Sequence, residues 1–239
     1  MVKVEVCIAT DDVEAMCQDL HAAHQGGAAT VELCSRMDVG GLTPSVEAML
    51  AARSAFPRDG MMVMVRPRPG DFHYNPEELD VMQRSILTAA EADADGVVLG
   101  VLSQDQALAH DALSELIALA DSLGLHTSLH RAFDDAKHAE ETLEDAIDLG
   151  VRRVLTAGTP YNADRPAVEG ISQIHRLIQV ADDRIEIVIG GGVNPENAGQ
   201  ILHGAPSSMR IALHAFSGVR VGGQVQAKRV RDLLQAANP

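Results

Sequence analysis

Two short segments of the chain repeat one pattern: Val-Glu-Val-Cys at 4–7 and Val-Glu-Leu-Cys at 31–34. In a strand, side chains two apart share a face, so Glu5 stands with Cys7 and Glu32 with Cys34. If the strands are neighbours, two carboxylates and two thiols converge. The thiolates would suit a soft metal and the carboxylates proton transfer, while the plainest role for the cysteines is that of small buried hydrophobes. The carboxylates need a partner, because a charge inside a barrel costs several kcal/mol unless it is paired.

Further along stands Arg66-Pro67-Arg68-Pro69-Gly70-Asp71, a stiff loop carrying two guanidinium groups. Arg66 and Arg68 are suited to gripping an anion bidentately, with Asp71 beside them as a further substrate-binding candidate, and Arg66 is equally suited to pairing with Glu5 or Glu32. His130-Arg131-Ala132-Phe133-Asp134 gathers an imidazole, a guanidinium and a carboxylate, a set fit for acid–base work with His130 as the titrating group and Arg131 as an anchor. His214 extends this group. Thr156-Ala157-Gly158 offers a hydroxyl, and Gly190-Gly191-Gly192 leaves the backbone N–H groups of Gly191 and Gly192 open to an anion. Six other histidines, at 21, 24, 110, 138, 175 and 203, fall on helix patterns, where solvent exposure is expected.

The elements that must position these groups follow from periodicity. Short apolar runs near 3–8, 30–34, 61–66, 96–101, 126–131, 152–156, 185–190 and 209–214 each precede a stretch of helical spacing. Eight such units predict a single-domain (β/α)8 barrel, the TIM barrel, spanning 1–239, with its working site at the strand C-termini. Thr10 or Asp11, Thr43-Pro44 and Asn75-Pro76 are expected to open the first three helices, and glycines at 26–27, 124 and 150 to close helices. An open doubly wound sheet fits less well, because no glycine-rich turn follows the first strand.

Composition narrows the function. With 239 residues, a net charge of −15 and no clustered Lys or Arg, the chain lacks the footprint that attracts nucleic acid or anionic membranes. No export signal or apolar run of membrane-spanning length is recognisable, so a cytoplasmic protein is expected. Cys7, Cys17 and Cys34, an odd number, do not suggest a disulfide framework. The only lysines, Lys3, Lys137 and Lys228, lie away from strand C-termini, which excludes a Schiff-base aldolase. HExxH, CxxC, Walker and GxSxG motifs are absent.

Taken together, the VELC of 31–34, GGLTPS at 40–45, RPRPGDF at 66–72, HRAFD at 130–134, RVLTAG at 153–158 and GGG at 190–192 resemble the CutC family over nearly the whole chain up to His214. Small departures stand at Pro69, Ala157 and the SQDQ of 103–106. The resemblance implies a (β/α)8 barrel, a homodimer or higher oligomer, and a part in copper homeostasis, with copper(I) held by Cys7 and Cys34. Two functions therefore compete: a cytosolic copper-binding protein, and a lyase- or isomerase-type enzyme acting on a small anionic or sugar-like molecule. In the second, Glu5, Glu32 and His130 would move protons, Arg66 and Arg131 anchor the substrate, and Gly191 and Gly192 receive its anionic group.

Overall fold

The computed structural model describes residues 1–163, 165–206 and 209–239. Eight parallel strands close into a barrel in sequence order: β1 (Lys3–Ala9), β2 (Thr30–Cys34), β3 (Met61–Met64), β4 (Gly96–Leu99), β5 (His126–Leu129), β6 (Arg153–Thr156), β7 (Glu186–Ile189) and β8 (Ile211–Ala215). β8 pairs with β1, and the ring is complete. The expected (β/α)8 barrel is thus the architecture found. Around it run α1 (Val13–Gly26), α2 (Val46–Ala55), α3 (Pro76–Glu91), α4 (His110–Ser122), α5 (Ala139–Asp148), α6 (Ile171–Ala181), α7 (Ala198–Leu202) and α8 (Ala227–Ala237). A small antiparallel pair, β9 (Arg220–Val221) and β10 (Gln224–Val225), follows the last barrel strand.

The strands are buried on both faces, as parallel strands usually are, because helices cover one side and barrel contents the other; the outward face is apolar, and the inward face mixes apolar and charged residues. Val4, Val6 and Ile8 of β1, with Val31 and Leu33 of β2 and Val63 of β3, face the helices and join the main core. The alternate residues look inward. There Cys7, Cys34, Met62, Met64 and Val98 form one buried cluster, and Leu155, Val188 and Ala212 another. The first of these is rich in sulfur, an observation of consequence for the site.

Helix starts differ in detail from expectation. The cap of α1 is Asp12, whose carboxylate accepts from the Ala15 N–H at 3.0 Å; Asp11 instead holds the backbone N–H of Arg36 at 3.0 and 3.1 Å. Ser45, rather than Thr43-Pro44, caps α2. Thr43 is engaged elsewhere, its hydroxyl accepting from the Arg66 N–H at 2.9 Å. Asn75 opens α3 with a reciprocal capping box to Glu78, and Gly27, in the left-handed region at φ 90°, closes α1. Among the described residues no helix is long and apolar enough to cross a membrane.

Candidate metal centre and ligand cavity

Parallel pairing of β1 with β2 sets Cys7 opposite Glu32 and Ala9 opposite Cys34. The two Glu-x-Cys segments are therefore offset by two residues, and a diagonal triad forms: one donor atom from each of Cys7, Glu32 and Cys34 lies within 4.8 Å of the others. All three are buried, and no disulfide joins the cysteines. Met37, on the single turn that follows β2, brings its sulfur to 3.8 Å from Cys7 Sγ.

Glu5 sits beneath the triad and takes no place in it. One of its oxygens accepts from Arg153 Nη1 at 2.6 Å and from the Thr30 hydroxyl at 2.9 Å; the other lies 2.9 Å from His214 Nδ1. Arg153 also donates through Nε to Glu186 at 2.6 Å, and Lys3 reaches Glu186 at 3.4 Å. Burial favours the neutral form of Glu5, but the Arg153 charge and the His214 contact outweigh it, and the carboxyl is held well below the usual carboxylate range. The partner of Glu5 is thus Arg153, which opens β6 from across the barrel, and not Arg66. Neither composition nor strand-end logic singled out Arg153, because it stands at the end of its strand opposite the mouth.

His214 bridges the two layers. Its Nδ1 faces Glu5, and its Nε2 lies 3.7 Å from a Glu32 oxygen. Burial opposes its charged form, yet Glu32, Cys7 and Glu5 together raise its pKa well above the ordinary imidazole value. Cys7 is lowered to about 5, first because the Cys34 thiol hydrogen-bonds to it and then, against burial, because His214 does the same. Cys34 is correspondingly raised, since the proton on its thiol serves Cys7. Glu32 is pushed up to about 8, chiefly by burial. These shifts favour, toward neutral pH, a charge on Cys7 and on His214 and a proton on Cys34 and on Glu32. Glu5 then faces Arg153 and His214, and Cys7 faces His214.

Above the triad opens a cavity of about 300 Å³, at the small end of the range for ligand pockets. Cys7, Glu32, Cys34, Arg66, His130, Arg131, Gly191, Gly192 and His214 all line it. Arg68, Asp71 and Thr156 do not. Arg68 is tied to Asp71 at 2.9 Å and to Glu78 at 2.6 Å, and the Thr156 hydroxyl is given to Asp134. Asp134 also accepts from Arg131 Nε at 2.7 Å and the Ala157 N–H at 2.9 Å, fixing the mouth between β5 and β6.

Two expectations about charge change here. Arg66 is buried, and its Nη1 and Nη2 donate to the carbonyls of Val39, Gly41 and Gly70 at 3.1, 3.2 and 2.9 Å. Nη1 thus gives both of its N–H groups to carbonyls and Nη2 gives one, so the outer fork faces the loop backbone, and Nε has no partner. His130 Nδ1 accepts from the Ala132 N–H at 3.1 Å, which puts the proton of the neutral ring on Nε2. Burial, reinforced by the Arg66 charge, drives His130 down to about 3. It is a fixed donor at neutral pH rather than a titrating acid–base group. Of the remaining histidines, 21, 110, 138 and 203 are exposed, whereas His24 and His175 are half-buried.

Met37, Met62 and Met64 gather around the cysteines although residue type alone does not single them out, since methionine ordinarily reads as core filler. The signal available was their register: Met62 pairs with Glu32 across β2 and β3, on the inward face.

Comparison with known proteins bears on the whole arrangement. The model of the CutC family matches residues 2–211. The family protein CutC of Vibrio parahaemolyticus is 45% identical over 197 residues, 82% of this chain and 74% of that protein. Its counterpart in Agrobacterium fabrum is 42% identical over 204 residues, 85% of this chain and 75% of that one. The crystal structure of CutC from Streptococcus agalactiae, a protein named for copper homeostasis, superposes with a TM-score of 0.79 at 32% identity, covering 90% of this chain and 98% of its own. A tryptophan synthase α-subunit variant from Pyrococcus furiosus, at 14% identity and a TM-score of 0.68, shares the fold alone. A barrel whose first two strands bring paired Glu-x-Cys segments together, matched over most of its length by these relatives, belongs to the CutC family.

Proposed function

We propose that the chain is a cytosolic copper-handling protein that binds Cu(I) at Cys7 and Cys34. The observation that carries this reading is the convergence of Cys7, Glu32 and Cys34 within 4.8 Å, beside the Met37 sulfur at 3.8 Å from Cys7. Cu(I) is satisfied by two or three soft ligands, and thiolates with a thioether are the set that distinguishes it from oxygen-seeking cations.

Charge supports the same assignment. Cys7 is already a thiolate, so engaging both sulfurs requires only the Cys34 proton to leave. Cu⁺ then replaces H⁺, and the net charge of the buried site is unchanged, which avoids the desolvation cost of adding an ion. A divalent cation would need the Glu32 proton to leave as well. Cytoplasmic residence fits, because free thiols persist in a reducing compartment. Self-association is part of the proposal: Val46 and Leu50 on α2 and Val81 and Leu87 on the adjoining α3 are exposed apolar side chains.

The test is anaerobic Cu(I) competition against a series of chelators of graded affinity, with proton release measured in weak buffer. One Cu(I) per chain and about one proton released are expected. The variant with both Cys7→Ser and Cys34→Ser should lose binding, whereas Glu32→Gln should keep it. Undiminished binding in the double serine variant, or tighter binding of Zn(II) with two protons released, would overturn the reading.

A further inference from the structure

Arg66 is 2% exposed, and among the described residues its guanidinium meets carbonyl oxygens and no carboxylate. A buried guanidinium without a counter-charge is costly, so what it holds in place matters. Its Nη1 donates to the carbonyls of Val39 and Gly41, both on the segment 36–41 that leaves β2. That segment is a closed loop. Ser35 and Leu42 exchange backbone hydrogen bonds of 2.9 and 2.7 Å at its base, Asp11 holds the Arg36 N–H, and the chain turns back through the left-handed region at Gly40 and Gly41.

What the loop carries is Met37. Its sulfur lies 3.8 Å from Cys7 Sγ, and Gly41 lies against the same group, since a Cβ there would stand 3.3 Å from Cys34 Sγ and 3.7 Å from the Met37 sulfur. The loop therefore adds a third sulfur to the two that the barrel strands supply. We propose that Met37 is the third ligand of the Cu(I) site and that Arg66 is its positioning residue, fixing the loop at the depth where the thioether meets the thiolates. This rests on the copper reading above. A thioether is neutral, so it adds no charge to a buried site, and it is a donor that Cu(I) accepts and harder cations neglect. A rigid fork of N–H groups can hold several carbonyls at once, which the flexible, single-point ammonium of lysine does less well.

The test joins the anaerobic Cu(I) competition to X-ray absorption at the copper edge, which counts the sulfurs around the metal in the full-length protein. The parent should show three. Met37→Leu, a swap of similar volume, should still bind one Cu(I) per chain but with two sulfurs and weaker affinity. Arg66→Lys should also lose the third sulfur and bind about tenfold more weakly, the low end for a residue that supports a metal ligand. Combined with Met37→Leu it should weaken binding no further, whereas two independent losses would add. Arg66→Gln, whose amide can still donate to a loop carbonyl, is the second variant at this position should the lysine variant not fold. A parent that binds no Cu(I) overturns the copper reading and this one with it. Two sulfurs in the parent, or three retained in Met37→Leu, overturn this inference alone, and additive losses overturn the part assigned to Arg66.

Discussion

Replacing Arg153 by methionine keeps most of the side-chain stem and removes the one cation that faces both Glu5 and Glu186. In the native protein Arg153 donates to each at 2.6 Å, with Arg153 9% and Glu5 4% exposed at their side chains. Breaking a buried pair strands the surviving charge, at about 3–5 kcal/mol. For a chain of this size each kcal/mol shifts the melting temperature by about 2–4 °C, so a drop of roughly 6–20 °C is expected. Linkage fixes the pH dependence. The folded-state pKa of Glu5 is depressed, so the stability it contributes is present above its unfolded value near 4.5 and is lost as pH falls through the folded value. In Arg153→Met burial is no longer opposed by the guanidinium and the Glu5 pKa rises, so the deficit against the parent should be largest near neutrality and narrow below about pH 4.5. Urea unfolding of both proteins at pH 7 and pH 4 measures it. Adding Glu5→Gln to the variant should restore part of the loss, because the stranded charge is removed while Glu186 keeps Lys3 at 3.4 Å. A deficit under about 1 kcal/mol at pH 7, or one that widens in acid, would refute the reasoning.

Two other expectations concern the mouth. Labelling of Cys7 by a small methanethiosulfonate should reach half its maximal rate near pH 5, and Cys34→Ala should move that midpoint upward, since the Cys34 hydrogen bond is the largest influence lowering Cys7; a midpoint above pH 8 in the parent contradicts the thiolate assignment. Gly191→Ala should destabilise more than Gly192→Ala: at φ 98° its new Cβ would stand 2.9 Å from Ala157 Cβ, whereas at Gly192, φ 75°, the nearest atom is 3.6 Å away. Costs of about 2–3 and 1–2 kcal/mol are expected from thermal unfolding, and the reverse order would count against the loop geometry.

The barrel was legible because its signal is repetition: eight apolar runs at even spacing survive a miscounted residue at any one of them. Local choices were less so. Thr10, Asp11 and Asp12 are all competent caps, and the selection of Asp12 depends on Asp11 being drawn to the backbone of Arg36, a contact between segments distant in sequence. At the site, strand period two placed Glu5 with Cys7 and Glu32 with Cys34, but the two-residue offset between the strands, which separates Glu5 from the triad, is a matter of barrel shear. Arg153 escaped notice because it enters from the far end of β6. The neutrality of His130 rests on one backbone N–H, that of Ala132, and on burial, and residue type discloses neither.

The tie from Arg153 to Glu5 joins strands three apart around the ring and sets a salt bridge beneath the triad, at the end of the barrel away from the mouth. His214 contacts Glu5 on one side and Glu32 on the other, so a change of charge at Arg153 would be felt at the sulfurs although Arg153 touches neither of them.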